Sequence, residues 1–205
     1  MRYTRGACMA TAVEARVGTR TEPRRMTLRE FLDHPWGDAR VELVGGEVRV
    51  TNFPTSAHSL IMRAVYDALS AHVRERRLGL CFPDGTGYAL PHRGHTARGP
   101  DVSFIRAGRV TLPRPQRGIF DLAPDLAVEV LSPEDRYTEV REKLADYFAG
   151  GTAAWVIDPR RRGVEVHAAG GELRWLPEGE ILDGAPVLPD FRMPVAEIFA
   201  DVALE

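Results

Sequence analysis

The sequence predicts an α/β protein in which helices flank a mixed central β-sheet and antiparallel hairpins extend it. The apolar stretch 125–131, DLAVEVL, is typical of a strand covered on both faces. A helical pattern over 138–149 follows it and leads to a second strand at 153–157. A strand, a helix and a strand at this spacing favour a right-handed crossover between parallel strands. Short strands before and after this unit predict the antiparallel hairpins.

The first elements are a short helix and a hairpin. Thr27 is a candidate N-cap, with Glu30 three residues later, for a helix of about one and a half turns. Gly45-Gly46 is predicted to join strands at 41–44 and 47–51, because glycine tolerates the positive φ angles of a tight turn.

A long helix is predicted from Ser56, its candidate N-cap, to a stop at Gly79. Its apolar residues recur at three- and four-residue spacing, which predicts one face directed at the core. Further strands are predicted at 87–90, 101–105, 164–167 and 173–176, and a terminal helix after Pro194.

Length and composition favour one compact domain. The 205 residues are 44% hydrophobic and 27% charged, which excludes fibrous and wholly disordered chains. No run approaches the roughly 18 apolar residues of a membrane helix, so we predict a cytoplasmic protein without a membrane partner. Cysteine occurs only at Cys8 and Cys81, which excludes a disulfide framework and a thiolate zinc cage. Any metal is therefore expected to have oxygen or imidazole ligands.

Charge divides the chain near residue 25. Residues 1–25 carry a net charge of +4 without apolar periodicity, whereas 26–205, the predicted folded domain, carry −6. We predict that 1–25 form a disordered basic tail, or that the true start is Met26. A basic arm that neutralises nucleic-acid phosphates is the alternative.

Glu129 is the residue that ordinary packing explains least. It lies among apolar neighbours in the strand 125–131, where an unpaired carboxylate would be costly or would take up a proton. A buried ion pair and a functional role both account for it. Asp101 opens another strand, so two carboxylates on neighbouring strands can meet around a cation. Oxygen ligands of this kind favour Mg²⁺ or Mn²⁺.

Lys143 is the single lysine among 27 basic residues, on the predicted helix directly after the Glu129 strand. That helix can fold back over the strand end, where an ammonium would reach the same cleft. A lysine there can orient water and neutralise charge on a phosphorus transition state. Chance survival of one lysine on a helix surface is the alternative.

Several strings of residues resemble those of one family. They are Pro100-Asp101-Val102-Ser103, PDLAVEVLSP at 124–133, Lys143 with Tyr147, AWVIDP at 154–159, VELVGGEV at 41–48 and SAHS around His58. Together they resemble the Uma-two family of restriction endonuclease-like proteins, which belongs to the PD-(D/E)XK nuclease superfamily. The resemblance covers about residues 26–200.

This resemblance implies a restriction-endonuclease-like core in which Asp101 and Glu129 bind the divalent metal. The lysine of the superfamily usually stands two residues after the glutamate, here Leu131, whereas this family carries it on the next helix, at Lys143. Glu42 matches an early acidic position that contacts metal or water. The resemblance also implies a DNA substrate and a homodimer.

Other polar groups are weaker candidates. His58 is expected to be an ordinary polar residue of a helix start, with a contact to substrate phosphate or to the metal shell as the alternative. His92 and His95 form an H-x-x-H without a third ligand in view, so a zinc site is not expected there. The three arginines at 160–162 are expected to form a solvated turn rather than a phosphate contact.

The leading hypothesis is a Mg²⁺-dependent endonuclease acting on DNA, with Asp101 and Glu129 as ligands, Lys143 positioning water and Glu42 in support. The net charge of −6 on 26–205 argues against tight duplex binding by phosphate neutralisation alone. The alternatives are an inactive module of the same fold that binds DNA or protein, and a hydrolase of a small phosphoester. A buried glutamate together with the only lysine favours the active enzyme.

Overall fold

The computed structural model describes residues 25–36, 41–50, 54–90, 94–110, 119–133, 135–169 and 172–202. The basic segment 1–24 and His92 lie outside the described residues. The helices are α1 (Leu28–Asp33), α2 (Ser56–Arg76), α3 (Tyr137–Ala149) and α4 (Val195–Ile198). The strands are β1 (Val41–Val44), β2 (Glu47–Val50), β3 (Gly79–Pro83), β4 (Tyr88–Ala89), β5 (Ala97–Arg98), β6 (Val102–Arg106), β7 (Leu126–Val130), β8 (Ala153–Asp158), β9 (Gly163–His167), β10 (Leu173–Pro177), β11 (Ile181–Asp183) and β12 (Arg192–Pro194).

The largest sheet has six strands in the order β10-β9-β8-β7-β6-β3. β7 and β8 are parallel, and each other neighbouring pair in this sheet is antiparallel. The helix α3 connects the two parallel strands, as the strand-helix-strand pattern predicted. The predicted mixed sheet flanked by helices is therefore confirmed.

β7 lies between two layers of helix, which explains its apolar sequence. On one face, Val128 and Val130 join the core cluster that contains Ile61 of α2. On the other face, Ala127 packs in a cluster with Tyr147 of α3. Because side chains alternate along a strand, Glu129 shares the α3 face with Ala127. The position of Glu129 in β7 thus decides which helix it meets.

The ends of α2 differ from the prediction. Its N-cap is Thr55, whose hydroxyl accepts a hydrogen bond from the His58 N–H at 3.2 Å, and Ser56 is the first helical residue. The helix ends at Arg76, because Arg77 takes a left-handed conformation with φ of 55°. Gly79 instead opens β3, where a Cβ would collide with backbone atoms of the adjacent strand β6.

A smaller sheet has the order β2-β1-β5-β4. The predicted hairpin forms its edge, with positive φ angles of 55° at Gly45 and 90° at Gly46. Thr27 caps α1 through the predicted capping box with Glu30. Four strands, β3, β5, β11 and β12, were not predicted from the sequence. The last three are only two or three residues long and carry no readable alternation.

Candidate active site

Two neighbouring strands bring the predicted acidic residues together. Asp101 directly precedes β6, and Glu129 is the fourth residue of β7. The antiparallel register pairs Val102 with Val128, and its continuation by one residue sets Asp101 opposite Glu129. The N–H of Val130 donates a hydrogen bond to Asp101 Oδ2 at 2.7 Å, which anchors the aspartate at the end of β7.

The helix α3 supplies the partners of Glu129. Lys143 Nζ donates to Glu129 Oε2 at 2.9 Å, and the Tyr147 hydroxyl donates to Glu129 Oε1 at 2.7 Å. Lys143 and Tyr147 are four residues apart, so they project from the same side of the helix. The positive group expected beside Glu129 is therefore Lys143, which the crossover helix carries onto the strand.

Glu42 reaches the site from the smaller sheet. Its side chain is 7% exposed and lies on β1. Glu42 Oε2 accepts from Arg98 Nη1 and Oε1 accepts from the Gly99 N–H, each at 3.0 Å. Lys143 Nζ lies 3.8 Å from Glu42 Oε1, so the lysine stands between two glutamates but is closer to Glu129.

His58 lies in the first turn of α2 and contacts Asp101. The two groups are 3.2 Å apart, from Nε2 to Oδ2, and both are almost fully buried. Burial lowers the pKa of His58, but the hydrogen bond and charge of Asp101 outweigh it, so that the pKa is raised. His58 Nδ1 is the one buried side-chain nitrogen or oxygen without a partner within the described residues.

A cleft of about 390 Å³ opens beside these groups. Glu42, Glu129 and Lys143 line it, whereas Asp101 and His58 stand outside its lining. Its remaining walls come from the hairpin, β5, the end of β7, the loop that follows β7 and the first half of α3: Arg49, Val50, Arg98, Val130, Leu131, Asp135, Glu139 and Val140. Leu131 and Lys143 thus face one cleft, although 12 positions separate them in the sequence.

Negative charge predominates around Glu129. Burial raises the pKa of Glu129 to about 7, with Asp101 and Glu42 adding to the rise and Lys143 and the Tyr147 hydroxyl opposing it. Burial lowers the pKa of Lys143, but attraction to Glu129, Glu42 and Asp101 outweighs that effect, so the net pKa is raised. Lys143 is therefore an ammonium at neutral pH, and one further cation beside Glu129 would favour the ionised carboxylate.

The donor set suits a hard divalent cation. Each Glu129 oxygen accepts a single hydrogen bond, and Asp101 Oδ1 accepts none from the described part of the chain. No three His, Cys, Asp or Glu side chains in the described ranges are arranged as a complete metal cage. Two carboxylates that leave the other positions to water and phosphate are typical of Mg²⁺ sites. Asp101 and Glu129 therefore fit such a cation.

Three members of the site, Arg98, Asp146 and Tyr147, were not predicted from the sequence. Arg98 binds both Glu42 and Asp146, and Tyr147 binds Glu129. Tyr147 belonged to the family-like string but received no role. Asp146 and Tyr147 stand three and four residues after Lys143, a helical spacing that could have identified them as neighbours of the lysine. Arg98 carried no such signal, because 26 of the 27 basic residues are arginine.

Two other predicted features do not join the site. His95 Nδ1 accepts a hydrogen bond from the Leu28 N–H at 3.3 Å, and His92 lies outside the described residues. In the three-arginine turn, Arg162 forms a bidentate pair with Glu178 at 2.7 and 2.6 Å. The turn is therefore partly structural rather than wholly solvated.

Comparison with known sequences gives the family. The Uma2 family, described as "Putative restriction endonuclease", matches residues 28–196, from α1 to the second residue of α4. The chain belongs to this family. The match confirms the Uma-two resemblance and spans the whole cleft of this Uma2 protein. Among curated proteins, none matches the chain.

A solved structure supports the fold. It is a protein from Anabaena variabilis described as a "putative nuclease belonging to DUF820", with a TM-score of 0.75 and 23% sequence identity. The similarity covers 85% of the Uma2 chain and 98% of the Anabaena chain. At this identity the similarity establishes a shared fold.

None of the described helices has the length and apolar character needed to cross a bilayer.

Proposed function

We propose that this Uma2 protein is a divalent-metal-dependent endonuclease that hydrolyses phosphodiester bonds of DNA. The observation that carries the proposal is the 2.9 Å ion pair between Lys143 and Glu129, beside Asp101 and at the wall of a cleft. An ammonium and a carboxylate that line a cleft, with a second buried carboxylate beside them, are the groups that metal-assisted phosphodiester hydrolysis uses. Membership of a family described as "Putative restriction endonuclease" supports the same reaction.

In this proposal Asp101 and Glu129 hold Mg²⁺ or Mn²⁺. When bound, the cation supplies Lewis-acid polarisation of a phosphoryl oxygen and neutralises developing charge. Glu129 must be ionised to act as a ligand, and its raised pKa means that protons and metal compete for it near neutral pH. His58 holds Asp101 Oδ2 from the α2 side and leaves Oδ1 directed elsewhere.

Lys143 positions water and neutralises charge. An ammonium has three N–H donors, and Glu129 takes one of them at hydrogen-bond distance. The side chain is 26% exposed and lines the cleft, so its other donors can serve a water molecule or a non-bridging phosphate oxygen. Glu42, 3.8 Å away, favours the charged form of the ammonium and steadies it.

The charge of the molecule shapes the proposed DNA contact. Residues 26–205 carry a net −6, so the chain outside the basic segment does not attract a duplex by its total charge. Arg49 and Lys143 line the cleft, each paired with a glutamate, Glu142 and Glu129, and a bound divalent cation would add positive charge there. We expect DNA to bind weakly without metal and more tightly with it.

The experiment that tests the proposal measures cleavage of plasmid DNA, single-stranded DNA and RNA. Wild type and Lys143→Ala are each incubated with Mg²⁺, Mn²⁺ or EDTA. We expect wild type to cleave DNA only with metal, and Lys143→Ala to be slower by about 100-fold or more because it loses a charge at the reacting phosphate.

The matched control is Arg141→Ala, which removes a cation two residues earlier on α3. Arg141 is exposed and its guanidinium bonds Tyr137, so this variant is expected to retain wild-type cleavage. Circular dichroism verifies that each variant is folded. No cleavage of any nucleic acid by wild type, together with no Mn²⁺ binding by calorimetry, would contradict the enzyme and favour an inactive binding module.

A homodimer is part of the proposal, because two sites related by symmetry can act on both strands of a duplex. Light scattering of the full chain is expected to give about twice the 22.7 kDa of one chain. A mass of a single chain at micromolar concentration contradicts the dimer without affecting the assignment of the site.

A further inference from the structure

Arg98 is the one arginine or lysine in the described ranges whose residue is fully buried, with 2% exposure. It is the second residue of β5, a strand of the smaller sheet. A guanidinium keeps its proton in any protein environment, so a buried arginine requires ionised partners to offset its desolvation. The identity of those partners shows what the residue does.

Arg98 joins the smaller sheet to α3. Its Nη1 donates to Glu42 Oε2 of β1 at 3.0 Å. Its Nε and Nη2 both donate to Asp146 Oδ2 of α3, at 2.8 and 2.6 Å. One planar side chain therefore fixes a carboxylate on the sheet and a carboxylate on the helix at the same time.

These contacts determine the surroundings of Lys143. Asp146 stands three residues after Lys143 on α3, so its attachment to Arg98 holds the helix turn that carries the lysine. Each oxygen of Glu42 also accepts one hydrogen bond, Oε2 from Arg98 and Oε1 from the Gly99 N–H. Lys143 Nζ lies 3.8 Å from Glu42 Oε1 and 2.9 Å from Glu129 Oε2.

We propose that Arg98 is the positioning residue that assigns Lys143 to Glu129. Its guanidinium offsets part of the charge of Glu42, so that Glu129 remains the nearer partner of the ammonium, and through Asp146 it fixes the turn of α3 that carries Lys143. The inference rests on the proposed function for its effect on cleavage. The inference also states that Arg98 holds the Lys143 side chain in one position, and this statement can be tested without any cleavage activity.

The chain offers a direct readout, because Lys143 is its single lysine. Labelling with ¹³C-lysine gives the signals of this residue alone, without further assignment. In wild type the immobilised side chain is expected to show two inequivalent Hε protons. Arg98→Met keeps a long side chain but removes the guanidinium group and its charge. In this variant the two Hε signals are expected to merge.

Cleavage provides the second readout. Arg98→Met is expected to lower kcat by about 10- to 100-fold at saturating metal, with little change in KM. Loss of a residue that orients groups at a metal site typically lowers activity by this factor. Arg98→Lys restores the charge but not the planar guanidinium group that bonds two carboxylates, so we expect partial recovery of kcat. Asp146→Asn keeps Arg98 and serves as a second variant should Arg98→Met fail to fold.

The matched control is Arg162→Met, which breaks a bidentate arginine pair with Glu178 away from the cleft. It is expected to preserve both the Hε signals and kcat, and so separates positioning from general loss of stability. Unchanged Hε signals in folded Arg98→Met and Asp146→Asn, or kcat within twofold of wild type, overturn the proposal. If wild type cleaves no nucleic acid, the proposed function fails, and the NMR comparison alone decides the role of Arg98.

Discussion

Glu129 illustrates how the position of one residue in a strand determines its chemistry. All five residues of β7 are buried, and alternation sends Glu129 towards α3 rather than into the apolar cluster beside α2. There it meets an ammonium and a phenol hydroxyl. These two donors do not fully offset burial and the nearby carboxylates, so its pKa remains raised.

The raised pKa predicts a pH-dependent stability. A carboxyl whose pKa is higher in the folded than in the unfolded chain contributes stability below its unfolded pKa, and this is lost as pH rises through the folded value. With a folded pKa of about 7, wild type should lose about 2–3 kcal/mol relative to Glu129→Gln between pH 5 and pH 8. Urea unfolding in EDTA at the two pH values measures the difference.

Glu178→Gln is the control for this experiment. The hydrogen bond from Arg162 lowers the pKa of Glu178. The carboxyl is therefore ionised at pH 5, and its contribution to the free energy of unfolding changes little between pH 5 and pH 8. The difference between wild type and Glu178→Gln should therefore be the same at pH 5 and pH 8. If the difference in the free energy of unfolding between wild type and Glu129→Gln is also the same at pH 5 and pH 8, the pKa of Glu129 is not raised.

Tyr147 gives a second prediction for a single residue. Tyr147→Phe removes the 2.7 Å hydrogen bond to Glu129 from a fully buried site, and is expected to lower the free energy of unfolding by about 1.5–3 kcal/mol. Urea denaturation provides the measurement. Tyr137→Phe, at an exposed tyrosine of the same helix, should change it by less than about 0.5 kcal/mol. Equal effects of the two variants would contradict a structural role for the buried hydroxyl.

At the scale of elements, α2 and β7 form the layer that supports the site. Ile61, Val65, Leu69 and Val73 lie along one side of α2 and belong to the cluster that contains Val128. The periodicity of α2 was readable in the sequence because its apolar side is uninterrupted from Ile61 to Val73, about three and a half turns. Packing of this side holds the strand that carries Glu129.

Truncation of this side should destabilise the whole fold. Leu69→Ala removes a side chain with no exposed surface and is expected to cost about 2–5 kcal/mol in the free energy of unfolding. Leu173→Ala, on β10 and 57% exposed, should cost less than about 0.5 kcal/mol. Guanidinium denaturation of both variants compares them. A cost below 1 kcal/mol for Leu69→Ala would mean that α2 does not pack as described.

At the scale of the molecule, the site lies where the six-stranded sheet, the smaller sheet and α3 meet. The six-stranded sheet contributes Asp101 and Glu129, the smaller sheet contributes Glu42 and Arg98, and α3 contributes Lys143. Several carboxylates converge there, so the folded state concentrates negative charge that the unfolded chain disperses. A divalent cation should therefore bind the folded state and stabilise it.

Metal binding should be visible in unfolding experiments without any substrate. Mn²⁺ at 100 times its dissociation constant is expected to raise the free energy of unfolding by about 2.7 kcal/mol. Asp101→Asn should abolish most of this gain and EDTA should reverse it. Asp201→Asn, which removes an exposed partner of Arg63, should preserve the gain. An equal gain in Asp101→Asn and wild type would exclude Asp101 as a ligand.

The sequence alone was enough to predict the fold class, the hairpin, the parallel unit around α3, and the family. These features depend on local signals: glycine turns, apolar periodicity, capping residues and family-like strings. It also indicated that Glu129 needs a positive partner, because a carboxylate in an apolar strand is costly to bury. The nearby helix then made Lys143 the candidate.

The contacts by which Arg98, Asp146 and Tyr147 complete the site exist only in the folded chain. Arg98 lies 56 residues from Glu42 and 48 residues from Asp146 in the chain, and one arginine among 26 carries no local sign of such partners. The short strands were likewise set by pairing with other segments of the chain, whereas the ends of α2 are local caps at Thr55 and Arg77. A buried charge requires an ionic or hydrogen-bonding partner, and which charges are buried depends on the folded chain rather than on any local stretch of sequence.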